Sequence, residues 1–411
     1  MANNVEKINI LGVDVAKVRR REFLRIAADY LDQTERQYFI VTPNPEIILK
    51  ATADEEFFYI LQKADLALAD GTGLFFAALI QGHFLRRIPG SDATLDILKI
   101  AQKNKYKVAV IKDDTSLSSA EEIDKALQNK FPGLPVLILT VSNENQNPTP
   151  TPNQLDVLNE FQPRIVFAAF GAPAQEKFIY HNLKKIPSAR LAIGIGGSFD
   201  FLTGKIRRAP KLFRRFGVEW LWRLALEPKR RIRRIFNAVV VFPSKVMIFY
   251  FLRPFQYRPN VACLLYRKEV DSVKILIVER MKEAGHWQIP QGGTDGENLR
   301  DAGARELREE LGTDKFVIKK TYKNVYSYEF GQRDGETQKV SGRFSNFKGQ
   351  RQGLIIAEFT GTDDDIRINF WDHQSWRWVD KKELMGELHV IRRKGAERFL
   401  EKLTEYLKEN N

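Results

Sequence analysis

The chain has 411 residues, 43% of them hydrophobic and 28% charged, the balance of a soluble globular protein of two or three domains rather than a disordered chain. Its single cysteine, Cys263, excludes an intrachain disulfide and a zinc finger and fits a reducing compartment. The 65 Lys/Arg against 52 Asp/Glu leave a net charge of +13. Met1 to Lys7 carry no leader pattern, and no run of about 18 uncharged apolar residues predicts an ordinary transmembrane helix.

From residue 1 to about 235, apolar β-branched runs alternate with amphipathic stretches. The runs predict strands at Tyr38–Val41, Lys107–Ile111, Val136–Thr140, Arg164–Phe170 and Arg190–Ile195. The amphipathic stretches predict helices at Val18–Leu31, Leu95–Gln102 and Ala120–Lys130. Such alternation argues for a mostly parallel sheet covered by helices. The polar tract Ser142–Asn153 reads as a loop.

Lys205 to Arg234 holds twelve Lys/Arg and two Glu, interleaved with Phe213, Phe216, Trp220, Leu221, Trp222 and Leu224. Most of the net charge therefore sits in one segment. It suits an anionic bilayer, a nucleic acid or diphosphate, or a solvated helix docked on its own domain. Phe236 to Phe251 is apolar but interrupted by Pro243 and Lys245, so it is expected to be buried or interfacial rather than spanning.

After Phe251 the strands become the antiparallel kind, at Val261–Tyr266, Lys274–Val278, Gly353–Phe359 and Trp376–Val379, with helices at Asn298–Leu311 and Gly395–Lys408. The boundary is expected near Arg253–Asn260. In the first of these helices, spacings of three and four place Glu306, Glu309 and Glu310 on one face. A divalent cation would relieve their repulsion, and Mg²⁺ suits carboxylates and a diphosphate substrate. Salt bridges to Arg305 and Arg308 would relieve it equally well.

The glycine loop Pro290–Gly296 followed by Glu297, Arg305-Glu306-Leu307-Arg308-Glu309-Glu310-Leu311-Gly312 resembles the Nudix box, G-x5-E-x7-R-E-U-x-E-E-x-G-U. Four residues rather than five separate Gly292 from Glu297, and Thr313 replaces the final aliphatic residue. His286–Gly293, Gly349–Gln352 and Trp376–Val379 resemble the RNA pyrophosphohydrolase and dinucleoside polyphosphate hydrolase branch. The resemblance implies a Nudix α/β/α sandwich over residues 258–411. It also implies Mg²⁺ (or Mn²⁺) held by Glu306, Glu309 and Glu310, with Glu309 or Glu310 helping to activate the attacking water and Asp372 as a positional candidate to assist. A nucleotide or an RNA 5′ end is the implied substrate class.

In the first part of the chain, five polar clusters fall where strands should end, the place where open α/β sheets bind ligands. They are Thr42–Glu46, Ala69–Gly73, Arg87–Asp92, Gly171–Glu176 and Gly194–Asp200. Each alone has an ordinary explanation as a turn or close packing; together their glycines would offer N–H groups to a phosphate. With Arg208-Ala209-Pro210, Gly217–Leu224 and Glu227–Arg230, they resemble the WecG/TagA/CpsF glycosyltransferase family over residues 8 to about 245.

That resemblance implies a Rossmann-like parallel-sheet domain over residues 1–250 that needs no metal cofactor. It would transfer an N-acetylmannosamine-type sugar from a UDP donor to a polyprenyl-diphosphate-linked acceptor in surface polysaccharide synthesis. Asp70 stands at the family's base position. Thr42, Asn44, Gln175, Gly196 and Gly197 match donor contacts, and Arg87 would offset charge on the leaving UDP. Segment 205–250, with Arg207, Arg208, Arg214, Arg215, Arg230 and Arg231, would hold the acceptor against an anionic membrane surface. The implied location is cytoplasmic, peripheral to the membrane, with self-association common in the family. The whole chain is thus expected to be α/β throughout and bifunctional. The alternatives are a second domain that senses a nucleotide without turning it over, and a nucleic-acid binder acting through 205–234. His83, His181, His286, His373 and His389 show no ligand spacing and are expected to be structural or at the surface.

Overall fold

The computed structural model describes residues 5–142, 148–207, 209–210, 213, 221–222, 224, 228–270, 272–281, 283–330, 346–369 and 371–410, without the side chains of 228–231. The chain divides into two compact units, Met1–Phe249 and Tyr250–Asn411.

The first unit opens with a hairpin, β1 (Lys7–Ile10) and β2 (Val13–Ala16). Its sheet contains β3 (Tyr38–Val41), β4 (Leu66–Ala67), β5 (Val108–Asp113), β6 (Val136–Val141), β7 (Ile165–Ala168) and β8 (Leu191–Gly194). The order is β4-β3-β8-β7-β5-β6, and every pairing is parallel. Every residue of β5, β7 and β8 is buried, as expected of strands covered by helices on both faces. The helix Arg20–Asp32 turns Phe23, Ile26, Ala27 and Leu31 into that core. Because all the strands run the same way, their carboxyl ends gather at one edge, where Asp113 ends β5 and Thr42, Asp70 and Gly196 follow β3, β4 and β8.

Pro243 and Lys245 do not interrupt the helix they lie in, contrary to expectation. A π turn at Asn237–Val241 precedes the stretch Phe242–Met247. It widens the helix just ahead of the proline, whose ring and missing N–H need the room. Ile232–Phe255 is consequently the one helix among the described residues long and apolar enough to cross a membrane by length and composition, with mean hydropathy 1.9 and 17% buried. Phe242 and Val246 are buried.

The second unit is a seven-stranded sheet with a helix against each face. Its strands are β9 (Tyr257–Lys268), β10 (Val273–Arg280), β11 (Trp287–Gln288), β12 (Gln291–Gly293), β13 (Phe316–Glu329), β14 (Gly349–Phe359) and β15 (His373–Asp380). The expected antiparallel character holds except between β9 and β14, which pair in parallel from Tyr257↔Gly349 to Tyr266↔Glu358. The helix Leu299–Leu311 packs Ala302, Leu307 and Leu311 on one face, and Val390–Glu409 packs Ala396, Phe399, Leu403 and Leu407 on the other.

Candidate functional site

In the first unit, Asn44 caps the helix Pro45–Ala51, its Oδ1 accepting from Ile47 N–H at 3.0 Å. A cap of this kind fixes the turn that leaves β3. Asp70 lies just past β4. Its backbone N–H donates to Pro43 O at 2.9 Å, and its Oδ2 accepts from Gly90 N–H at 3.1 Å. The buried Thr42 donates through Oγ1 to Gly194 O at 3.4 Å.

Two clefts of about 550 Å³ each meet here. Polar groups from the ends of β3, β5, β7 and β8 line the first, among them Thr42, Asp113, Gln175, Gly196, Gly197 and Asp200. The second has apolar walls from Phe76, Ala77, Ile80, Val239, Phe242 and Val246, with Arg87 at its polar end. Asn44, Glu46, Asp70 and Arg234 line both. Arg234 Nε and Nη2 each lie 2.6 Å from Glu46 Oε2.

Gln175 Oε1 accepts from Gly196 N–H at 2.8 Å, and its Nε2 donates to Glu176 Oε1 at 2.7 Å. Its amide therefore anchors the glycine turn after β8 as well as lining the cleft. Glu176 is fully buried, and among the described residues its Oε2 has no hydrogen-bond partner. Burial pushes its carboxyl up to about 7, against the opposing effect of the Gln175 hydrogen bond.

In the second unit, Asn298 caps the helix Leu299–Leu311 by accepting from Arg300 and Asp301 N–H, both at 3.0 Å. Glu306 and Glu310 are buried at 3% and 4% exposure, while Glu309 is exposed. A Cβ at Gly292 would stand 1.9 Å from Glu306 Cδ, so only glycine lets β12 pass the carboxylate. Arg305 gathers the neighbouring acids. Its Nε donates to Glu297 at 2.9 Å, its Nη1 to Glu306 at 2.9 Å and to Glu309 at 3.1 Å, and its Nη2 to Gly293 O at 2.8 Å. Burial works against its charge, yet the hydrogen bond to Glu297 and the Glu306 carboxylate hold it above its ordinary value.

Glu310, which shares the neighbourhood of the buried Cys263 with Glu306, also meets a second pair of donors. Its carboxylate, Asp372 and His373 offer ligand atoms that all lie within 4.8 Å of one another, the single such group among the described residues. Asn369 ties this loop to the end of the helix. Its N–H donates to Glu310 O at 3.2 Å, its Nδ2 to Glu309 O at 3.1 Å, and its Oδ1 accepts from Asp372 N–H at 3.0 Å. The last carbonyls of a helix lack partners within it, and this loop supplies them. Buried carboxylates persist when paired or bound to a cation, so the donor set fits a divalent ion.

Residues 8–254 match the Glycosyl transferase WecG/TagA/CpsF family. The chain belongs to that family. Residues 256–403 match the NUDIX domain, and the protein is accordingly an enzyme of two parts, a glycosyltransferase domain and a Nudix hydrolase domain. Its similar proteins include the N-acetylglucosaminyldiphosphoundecaprenol N-acetyl-beta-D-mannosaminyltransferases of Staphylococcus aureus strains MRSA252 and MW2. Each is 29% identical over 246 residues, 59% of this chain and 93% of theirs. Among solved structures, the Ap4A hydrolase binary complex of C. elegans is 19% identical, covering 37% of this chain and 98% of that one, with a TM-score of 0.27. The dihydroneopterin triphosphate pyrophosphohydrolase of E. coli is 16% identical, covering 36% and 99%, with a TM-score of 0.28.

In the transferase domain, the predicted residues Thr42, Asn44, Asp70, Gln175, Gly196 and Gly197 line the polar cleft, and Arg87 lines the apolar one. Arg207 is exposed. Arg208, Arg214 and Arg215 lie outside the described residues, as do the side chains of Arg230 and Arg231. Glu46 and Arg234 were named in the sequence only within longer stretches, and nothing local marks them as a pair. In the Nudix domain, the expected residues Glu306, Glu309 and Glu310 all lie on the box helix, but among the described residues they do not form one group of donors within 4.8 Å. Arg305 holds the first two, and Glu310 groups with Asp372 and His373. His373, expected to be structural or at the surface, is a member of the candidate cation site.

Proposed function

We propose that the first domain transfers an N-acetylmannosamine-type sugar from a UDP donor to a polyprenyl-diphosphate-linked acceptor at the cytoplasmic membrane face. The observation that carries this reading is the position of Asp70 on both clefts. A nucleotide-sugar fits the polar cleft at the strand ends, and a lipid-linked acceptor fits the apolar one. The acceptor hydroxyl oxygen forms a bond to the sugar's anomeric carbon as the bond to the UDP oxygen breaks. Asp70 takes the hydroxyl proton, and Arg87 offsets charge on the departing diphosphate.

Phe76 and Phe84, with Phe236, Val239, Val240 and Met247, expose apolar surface in the same unit, from 47% to 60% each. Phe76 and Val239 share one cleft with Arg87 and Arg234; exposed apolar surface suits an interaction site, and basic residues beside it favour anionic lipid. A screen of UDP-sugars with a lipid-diphosphate acceptor tests the reading: product should form with the parent chain and be lost in Asp70→Asn. Absence of transfer with every UDP-sugar would refute it.

For the Nudix domain we propose hydrolysis of a phosphoanhydride in a nucleoside diphosphate-linked substrate, with Mg²⁺ or Mn²⁺. Glu310 is placed to hold the cation, with Glu306 and Glu309 within one turn. The bound ion would neutralise phosphate charge and make water a better nucleophile. Arg305 Nη1 donates to both Glu306 and Glu309 and orients their carboxylates. Product analysis with UDP-sugars and with capped or polyphosphorylated nucleotides tests this; no cleavage of any of them would favour a nucleotide-sensing module.

A further inference from the structure

The side chain of His373 is completely buried, and among the described residues neither of its ring nitrogens has a hydrogen-bond partner. A buried polar group left without a partner is costly, so the ring calls for one. Its Nε2 stands 3.9 Å from Asp372 Oδ2, too far for a hydrogen bond. One ring nitrogen of His373 and one carboxylate oxygen each of Asp372 and Glu310 all lie within 4.8 Å of one another. Two independent fixtures hold them there. The backbone of His373 is paired with Arg280 at the start of β15, and Asn369 fastens the preceding loop to the end of the box helix.

We infer that Glu310, Asp372 and His373 form a mixed nitrogen–oxygen site for a transition-metal divalent cation, with Mn²⁺, Co²⁺ or Zn²⁺ preferred to Mg²⁺. Three protein donors leave coordination positions for water or a phosphate oxygen. Carboxylates alone suit Mg²⁺, whereas an imidazole donor favours later first-row ions. The inference deepens the hydrolase reading, on which it rests for the use made of the ion; binding of the ion itself is tested without any substrate.

The test uses the full chain, stripped of metal with a chelator and loaded with Mn²⁺. Electron spin-echo measurements on the parent protein should show nitrogen coupling to the bound ion. His373→Gln should lose that coupling and bind Mn²⁺ at least about tenfold more weakly, while Asp372→Asn should weaken binding and keep the coupling. Mg²⁺ should compete poorly for the site in the parent chain. Mn²⁺ bound by the parent without nitrogen coupling would overturn the inference, and this arm needs no variant to fold. Equal Mn²⁺ affinity in parent and His373→Gln would overturn it too. Nitrogen coupling together with no hydrolysis of any nucleotide would uphold the site and refute the hydrolase reading alone.

Discussion

The Gly90 amide donates to Asp70 Oδ2 across 3.1 Å, which fixes the carboxylate where the two clefts of the transferase domain meet. Asn at position 70 keeps an oxygen for that amide and loses the base. Asp70→Asn should therefore melt like the parent and lose sugar transfer by roughly 10²–10⁴-fold, the usual contribution of a general base. Initial rates with the lipid acceptor, beside a thermal melt, check both halves. Transfer retained within a few-fold would remove Asp70 from the base role.

Glu176 gives the transferase domain a pH-dependent stability. Its carboxyl ionises near 4.5 in an ordinary setting and near 7 in the fold. Between those values the folded state holds a proton that the unfolded chain has released. Stability should therefore fall as pH rises from about 4.5 to 7 and level off above, by at most roughly 3 kcal/mol. Glu176→Gln keeps a carbonyl acceptor for Gln175 and cannot ionise. It should match the parent near pH 4 and exceed it at pH 8. Urea unfolding at both pH values reads the difference, and an unchanged slope with pH in the variant would contradict the assignment.

In the Nudix domain, Gly292→Ala should push on Glu306, because the new methyl would lie 1.9 Å from its carboxyl carbon. Overpacking of this kind costs about 1–3 kcal/mol. Glu306 would leave its pairing with Arg305, and metal-dependent hydrolysis should fall. A variant as stable and as active as the parent would show that β12 shifts at no cost.

Where hydrophobic pattern alone decides, the fold was legible. The five longer parallel strands announce themselves as apolar runs, β5, β7 and β8 because every residue in them is buried and β6 although it is half-exposed, and the box helix carries its own cap and glycine loop. The β1–β2 hairpin was hidden because its turn is Leu11-Gly12, with φ of 52° and 92°. Leucine there lacks the usual Asn-Gly signature, and Asn9 supports the turn from outside by accepting from Gly12 N–H. β13 was hidden because register shifts at Ile318/Lys320 and Tyr322/Tyr326 break its alternation. The Nudix box named Glu310, and chain position suggested Asp372. His373 could not be read as a ligand, because its nearness to Glu310 arises from the pairing of β15 with β10 and not from local spacing.

Membrane association should depend on the basic segment. Replacing Arg207, Arg214, Arg215, Arg230 and Arg231 by Glu in the full chain should release it from anionic liposomes, each basic residue being worth about 1 kcal/mol near such a surface. Flotation at low and high salt measures this. Undiminished binding would assign association to the apolar face of Phe76, Val239 and Val240 alone, and loss of RNA binding in its place would favour the nucleic-acid reading.

The most direct test of the account is a crossed assay, with sugar transfer and nucleotide hydrolysis measured on the same full-length preparations of the parent, Asp70→Asn and Glu310→Gln. Asp70→Asn should abolish transfer and leave hydrolysis intact, and Glu310→Gln should do the reverse. Loss of both reactions in either variant, or of neither, would contradict two independent active sites on one polypeptide.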